Sequence, residues 1–206
     1  MPLKDVRLSI IEERIPRRIS DFLREADERI EEFISERRVR ISGFVPSDFV
    51  AVYHALNTMV DSDLANGDMF CEWGSGFGIV TLLAAHFGFE SWGLEIEASL
   101  VDAAMEMSKD FDLPAEFIHG SFVPEGAQSM VEGANQSDVM WLYTDADDAY
   151  AEMGLTIRDF DVVYAFPWPG EEDLIADLFE AYASAGALLL TYGHLDGVRV
   201  RRKVAV

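Results

Sequence analysis

Residues 69–80 read Met-Phe-Cys-Glu-Trp-Gly-Ser-Gly-Phe-Gly-Ile-Val, and this stretch decides the fold. Met69 to Trp73 suit a buried strand, after which glycines at 74, 76 and 78 lead into a helix near 78–87. Glycines at that junction let the chain turn tightly and let a ligand approach the backbone without meeting Cβ atoms. A dinucleotide fingerprint would need glycine at position 79, which is Ile79, and there is no G-K-[ST] phosphate loop, so pyrophosphate is disfavoured. Acids flank the glycines. Glu72 precedes them, and Glu95 ends the next strand at 91–95, where a carboxylate can accept two hydrogen bonds from a ribose diol. Glu97 shares that face and competes for the role; Glu95 is preferred because Gly93-Leu-Glu closes the apolar run.

Outward from this stretch, strands alternate with helices, the signature of a mostly parallel sheet covered on both faces. Strands are expected at 69–73, 91–95, 115–119, 161–166, 186–192 and 198–205, with helices near 78–87, 98–109 and 171–184. Residues 124–158 are long for a connection and read as an insertion near the site: a loop or weak helix, a short extra strand at 139–143 and a capped helix in Asp-Ala-Asp-Asp-Ala-Tyr-Ala-Glu-Met-Gly. Upstream, Ser20 is placed to cap an amphipathic helix over 20–38, with Phe22, Leu23, Ala26, Ile30, Phe33 and Ile34 on one face. That face either covers the core, pairs with a second copy of the chain to make a homodimer, or forms a lid over a ligand. A turn at Ser42-Gly43 and a helix opened by Pro46-Ser47-Asp48 follow. Two units are expected: a helical appendage over 1–60 and the main domain over 61–206.

The chain has 206 residues, half of them hydrophobic, enough for one core and too few for two full domains. No apolar run reaches the length of a membrane-spanning helix, and the N-terminal residues mix charges of both signs; a cytoplasmic protein without membrane insertion is expected. The single cysteine, Cys71, can form no internal disulfide. Net charge is −22, from 16 basic and 38 acidic residues, unevenly spread. Between Ile41 and Val198 the only basic residues are Lys109 and Arg158, against 28 acids. Such a field repels phosphate backbones and favours a cationic partner, unless the arginine-bearing ends do the binding; it reads equally as a device for solubility.

In order, Glu-x-Gly-x-Gly-x-Gly, Gly-Leu-Glu, Ile-His-Gly-Ser, Asp-Val-Val-Tyr-Ala-Phe-Pro-Trp-Pro and Gly-Ala-Leu-Leu-Leu-Thr resemble the class I S-adenosylmethionine-dependent methyltransferases, over roughly 69–205. The resemblance implies a Rossmann-like α/β fold, a doubly wound, mostly parallel sheet with an antiparallel C-terminal strand, abbreviated here, and added N-terminal helices. More narrowly, Phe44-Val-Pro-Ser, Trp-Gly-Ser-Gly-Phe-Gly-Ile-Val and Gly-Leu-Glu-Ile-Glu-Ala-Ser-Leu-Val resemble the ATP-synthase c-subunit lysine methyltransferases and their prokaryotic relatives. The cofactor implied is S-adenosyl-L-methionine. By resemblance Glu72, Gly74, Gly76 and Gly78 hold its methionine part and Glu95 its ribose, Trp73, Ser75 and Ile96 bind the cofactor beside them, and Ser121 and Phe122 lie toward its adenine, where the family often carries Asp. Tyr164, Phe166, Pro167 and Trp168 fall at the acceptor side. The nucleobase-amine enzymes carry Asn or Asp where this chain has Phe166, so nucleic acid is not expected as acceptor.

The reaction implied is in-line displacement at a sulfonium methyl, for which a protein supplies alignment and desolvation. The expected acceptor is a protein lysine or a small cationic amine, with Tyr164 or Asp145 assisting its deprotonation; a neutral small molecule methylated on oxygen or carbon, or cofactor binding without catalysis, are the alternatives. Trp168 is either packed or a cation–π wall of the acceptor channel. The four histidines and the Asp145-Ala-Asp147-Asp148 cluster lack metal-ligand spacing, so no metal is expected, and Asn135-Gln-Ser is an accidental glycosylation triplet.

Overall fold

The computed structural model describes residues 2–36, 45–134, 147–193 and 197–205. The features expected at Ser42-Gly43, Phe44, Asn135, 139–143, Asp145 and His194 lie outside the described residues. In chain order the elements are β1 (Leu3–Val6), α1 (Arg17–Glu36), α2 (Phe49–Asp61), β2 (Met69–Trp73), α3 (Ile79–His86), β3 (Glu90–Glu95), α4 (Ala98–Phe111), β4 (Glu116–His119), α5 (Gln128–Ala134), α6 (Ala149–Met153), β5 (Val162–Ala165), α7 (Glu172–Tyr182), β6 (Leu188–Gly193) and β7 (Gly197–Lys203). The strands form one sheet in the order β1-β7-β6-β5-β2-β3-β4. β2 to β6 are mutually parallel, and β7 runs antiparallel to both its neighbours.

The seventh strand comes from the N-terminus. Leu3–Val6 pairs with β7 from Leu3↔Lys203 to Val6↔Val200, and Arg199 donates to both carboxylate oxygens of Asp5 at 2.7 and 3.2 Å. The sequence there predicts no strand, because Leu-Lys-Asp-Val is short and charged in its middle. Those are the traits that keep a sheet edge from pairing with other chains.

Alternation along the strands sends side chains into two cores. Phe70, Phe117, Val162, Tyr164, Leu188, Leu190 and Val200 pack under α1 to α4. Cys71, Trp73, Leu94, Val163, Ala165 and Leu189 pack under α5 to α7. The apolar face of α1 lies inside the first core, with Ile19, Phe22, Leu23, Ala26 and Ile30 all buried, so of its three expected uses it covers the core. At its far end Phe33 sets its ring edge-on to Phe77 of the glycine loop, 5.0 Å between centroids. α2 starts from Asp48, whose carboxylate accepts from the Ala51 N–H at 3.0 Å. Asp148 caps α6 and left-handed Gly154 ends it, as expected of a capped helix. Among the described residues no helix is long and apolar enough to cross a membrane.

Candidate functional site

The order in which successive strands are added reverses between the parallel neighbours β2 and β5. β3 and β4 lie to one side of β2, and β5 and β6 to the other. The carboxyl ends of parallel strands at such a switch point open a crevice, and ligands of open α/β sheets bind there. The loops that reach it are 74–78 after β2, 96–97 after β3, 120–122 after β4 and 166–170 after β5.

The loop after β2 is fixed to β3. Gly74 and Ser75 both donate their N–H to the Leu94 carbonyl, at 2.9 and 3.0 Å, and Gly78 donates to Ser75 at 2.7 Å. Gly74, Gly76 and Gly78 all have left-handed φ, 70°, 53° and 70°. Space separates two of them. A Cβ on exposed Gly74 would meet nothing, so its position is open toward a ligand, whereas a Cβ on Gly78 would overlap the Phe117 ring. Gly78 is therefore glycine for packing as well as for φ, and Gly93 answers to the same ring: its Cβ would lie 2.6 Å from Phe117 Cδ1.

Two buried carboxyls stand beside this loop on one face of the sheet. Glu72, 5 % exposed, accepts from the Thr81 N–H at 2.8 Å and from the Thr81 hydroxyl, both in the first turn of α3. Glu95, 8 % exposed, accepts from the Gly76 N–H and the Glu97 N–H, each at 2.9 Å, and so ties the loop after β2 to the tip of β3. Burial pushes Glu72 up to about 8, against the pull of its two Thr81 hydrogen bonds and with a further push from Glu95. Burial also raises Glu95, partly offset by the N–H groups of Glu97, Gly76 and Ile96. Among the described residues neither carboxyl has a cationic partner.

The same face holds two buried hydroxyls, that of Ser75, which has no hydrogen bond, and that of Tyr164, which lies beside Ser47. Tyr164 lies opposite Glu72 across the β2–β5 pairing and Gly93 lies opposite Glu72 on its other side. Ser75 sits over Gly93, whose Cβ would be 2.9 Å from that of Ser75. Burial raises the Tyr164 hydroxyl far above the ordinary phenol range. Ser47 at the head of α2 is near enough to offset this in part, while Glu72, Tyr192 and Asp48 add to it.

The remaining expected residues are placed as follows. Trp73 turns its side chain to the opposite core, where Nε1 donates to the Tyr150 hydroxyl at 2.8 Å and the indole stacks on Phe122 with centroids 5.0 Å apart. Only its backbone faces the crevice loop. Ile96 is 36 % exposed just beyond Glu95, and its carbonyl meets His119 Nε2 at 2.9 Å. Ser121 uses its backbone on the returning insertion: its N–H donates to Asp147 and its carbonyl accepts from Ala149, while its hydroxyl accepts from Val123. After β5, Phe166 packs edge-on to Tyr192, Pro167 is buried, and half-buried Trp168 donates its N–H to Glu171 at 3.3 Å. Glu97 is at the N-cap position of α4, where it accepts from the Ser99 hydroxyl.

Sequence reasoning missed Thr81, Tyr150, Phe117 and Ser47. Thr81 had a signal, as the sole polar side chain between Ile79 and Ala85, a run too apolar for any exposed face. Tyr150 had none, since it reaches Trp73 from 77 residues away.

No protein-family model matches the chain, and no curated protein does. Solved structures do. The T. thermophilus 16S rRNA N2 G1207 methyltransferase RsmC, in complex with AdoMet and guanosine, superposes with a TM-score of 0.51 at 14% identity, over 80% of this chain and 44% of that one. A hypothetical protein of Thermus thermophilus superposes with a TM-score of 0.51 at 19% identity, over 82% of this chain and 95% of that one. At these identities the likeness is one of fold, and the fold is the Rossmann-like one of S-adenosylmethionine-dependent methyltransferases.

Proposed function

We propose that this chain is a class I S-adenosylmethionine-dependent methyltransferase whose acceptor is an amine, either a protein lysine or a small cationic molecule. One observation carries the reading: two buried carboxyls, Glu72 and Glu95, flank a glycine loop at the switch point of the sheet with no cation among the described residues to neutralise them. Buried acids without a partner are costly and suit a ligand that brings positive charge. S-adenosylmethionine brings an ammonium and a sulfonium, and the orphaned Ser75 hydroxyl and the open side of Gly74 fit a polar ligand lying along the loop.

In this reading Glu72, Ser75 and the loop at Gly74 and Gly76 hold the amino-acid end. Glu95, with lone pairs left over from its two backbone bonds, holds the ribose diol, and exposed Ile96 covers one side of the adenine. The bound cofactor supplies an activated methyl group. The chain aligns the acceptor with it and excludes water. Tyr164 stays protonated throughout the neutral range, so it offers a hydrogen bond and does not take the acceptor's proton. Residues 61–206 carry this machinery, and residues 1–60 add Ser47 beside Tyr164 and Phe33 against the loop.

What supports an amine is the acidic field, the Trp168 indole beside the β5 tip, and the resemblance to the c-subunit lysine methyltransferases. RsmC itself was solved with guanosine, and the sequence-based exclusion of nucleic acid draws no support from sharing its fold. The test is calorimetry with S-adenosylmethionine and S-adenosylhomocysteine, followed by tritiated-methyl labelling of a lysate fractionated into protein, RNA and small molecules. Label in protein or in a basic small molecule is expected. Label in RNA or in a neutral small molecule replaces the amine acceptor, and binding without label leaves a cofactor-binding protein.

A further inference from the structure

Burial and a neighbouring buried acid disfavour the charge of Glu72, and two hydrogen bonds from Thr81 favour it. Glu95 faces it from β3 and Tyr164 from β5, α3 presents no cation but donates the Thr81 N–H and hydroxyl to it, and the head of α2 brings Ser47 and Asp48 to Tyr164. Cys71, its neighbour on β2, is a buried thiol raised well above its usual range. Ser75 sits over Gly93, in register with Glu72, on the side of Glu95. A carboxyl in such a place is raised above its ordinary range, and an arriving cation would favour its charged form.

We propose that Glu72 holds a proton in the ligand-free protein and releases it to solvent when a cation enters the cradle, so that the cofactor binds in exchange for a proton. The proposal rests on the cofactor reading above and adds a coupling to it. The step is a simple ionisation: the O–H bond of the carboxylic acid breaks, the electron pair stays on the carboxylate, and buffer takes the proton. A group titrating near 8 is about nine-tenths protonated at pH 7 and about one-tenth at pH 9. Binding at pH 7 therefore releases close to one proton per site from Glu72, and almost none at pH 9. Affinity climbs about tenfold between pH 6 and 7 on this account and flattens above pH 8.5.

The experiment has two arms. Calorimetric titration of the full chain with S-adenosylmethionine at pH 7, in phosphate and in Tris, gives the proton count from the difference in heats. Glu72→Gln is run in parallel, because the ligand's own amine titrates in the same range and only the difference belongs to Glu72. Infrared spectroscopy of the ligand-free protein at pH 7 looks for the carbonyl band of a protonated carboxyl that Glu72→Gln removes and that fades by pH 9. Thr81→Val, which deletes the hydroxyl that stabilises the charged form, is expected to keep the band and the release to higher pH. A band present in the wild type alone, with about one proton more released than by Glu72→Gln, supports the exchange. Normal heat with no such band, or equal proton counts in the two proteins, overturns the exchange and leaves the cofactor reading standing. A band that Glu72→Gln removes, with no heat of binding, overturns the cofactor reading and the exchange with it.

Discussion

Glu72→Gln should make the fold more tolerant of alkali, and the size of the effect follows from its surroundings. Glu72 is raised from 4.5 to about 8 by burial. A carboxyl raised on folding contributes stability that is fully present below its unfolded value and is lost as pH rises through its folded value. The full loss is about 5 kcal/mol, counting 1.36 kcal/mol for each pH unit between the two values. Most of it has accrued by pH 7, and on the order of 1 kcal/mol remains to be lost between pH 7 and 9. Glu95 is raised in the same direction and adds to the slope in both proteins. His86 is lowered, chiefly by burial and then by Arg18, so its contribution is lost only as pH falls, and the window from 7 to 9 avoids it. Glutamine keeps an oxygen for the Thr81 N–H and carries no charge. Urea unfolding of both proteins at pH 7, 8 and 9 reads the difference directly. The gap between variant and wild type is expected to widen by on the order of 1 kcal/mol across the window. A gap that stays constant means that Glu72 is ionised already at pH 7, and the argument from its burial fails.

Other substitutions separate the packing of the site from its binding. Gly78→Ala combines a left-handed φ with overlap on the Phe117 ring and is expected to cost about 2 to 4 kcal/mol in urea unfolding, while Gly74→Ala, with open space, should cost about 1 kcal/mol. Tyr150→Phe leaves the buried Trp73 indole N–H without its acceptor, an expected loss of about 1 to 3 kcal/mol in stability with little change in cofactor affinity. Glu95→Ala should weaken S-adenosylmethionine binding by about 1 to 3 kcal/mol in calorimetry; unchanged affinity removes Glu95 from the ribose role. Trp168→Ala should slow transfer to a cationic acceptor and leave cofactor affinity intact, and salt rising from about 50 to 500 mM should slow the wild type as the Debye length falls below 10 Å. Turnover indifferent to both points to a neutral acceptor.

The elements that surround the site could be read from sequence because each is decided locally. β2 is apolar nearly from end to end and stops at a glycine; β3 stops at the first acid after an apolar run; α4 and α7 show one apolar face. Where a structure is decided by something distant in the chain, the reading stopped. β1 exists because β7 offers it an edge, with Asp5 and Arg199 meeting across 194 residues of chain, and nothing in Leu-Lys-Asp-Val announces that edge. The insertion returns at Asp147 to pair with Ser121, a contact set by the close approach that Gly120 allows: a Cβ there would lie 2.7 Å from the Asp147 carbonyl.

The candidate site divides along the same line. Its residue types were visible, since glycines and acids at strand ends have few structural reasons to be there. What each does was not. Gly78 and Gly93 look alike in sequence to Gly74, yet they serve one phenylalanine on β4, and only Gly74 of the three opens toward the crevice. Trp73 sits among the glycines and faces away from them, because a strand residue next to an inward Glu72 must point to the other core. The same alternation puts Glu72, Ser75's perch at Gly93, Glu95 and Tyr164 on one face, where both acids are hydrogen-bonded but have no cation among the described residues and the Ser75 hydroxyl has no partner. Two buried acids with no such cation, beside a glycine loop at the carboxyl ends of parallel strands, are what the proposed binding of a polar, positively charged ligand rests on.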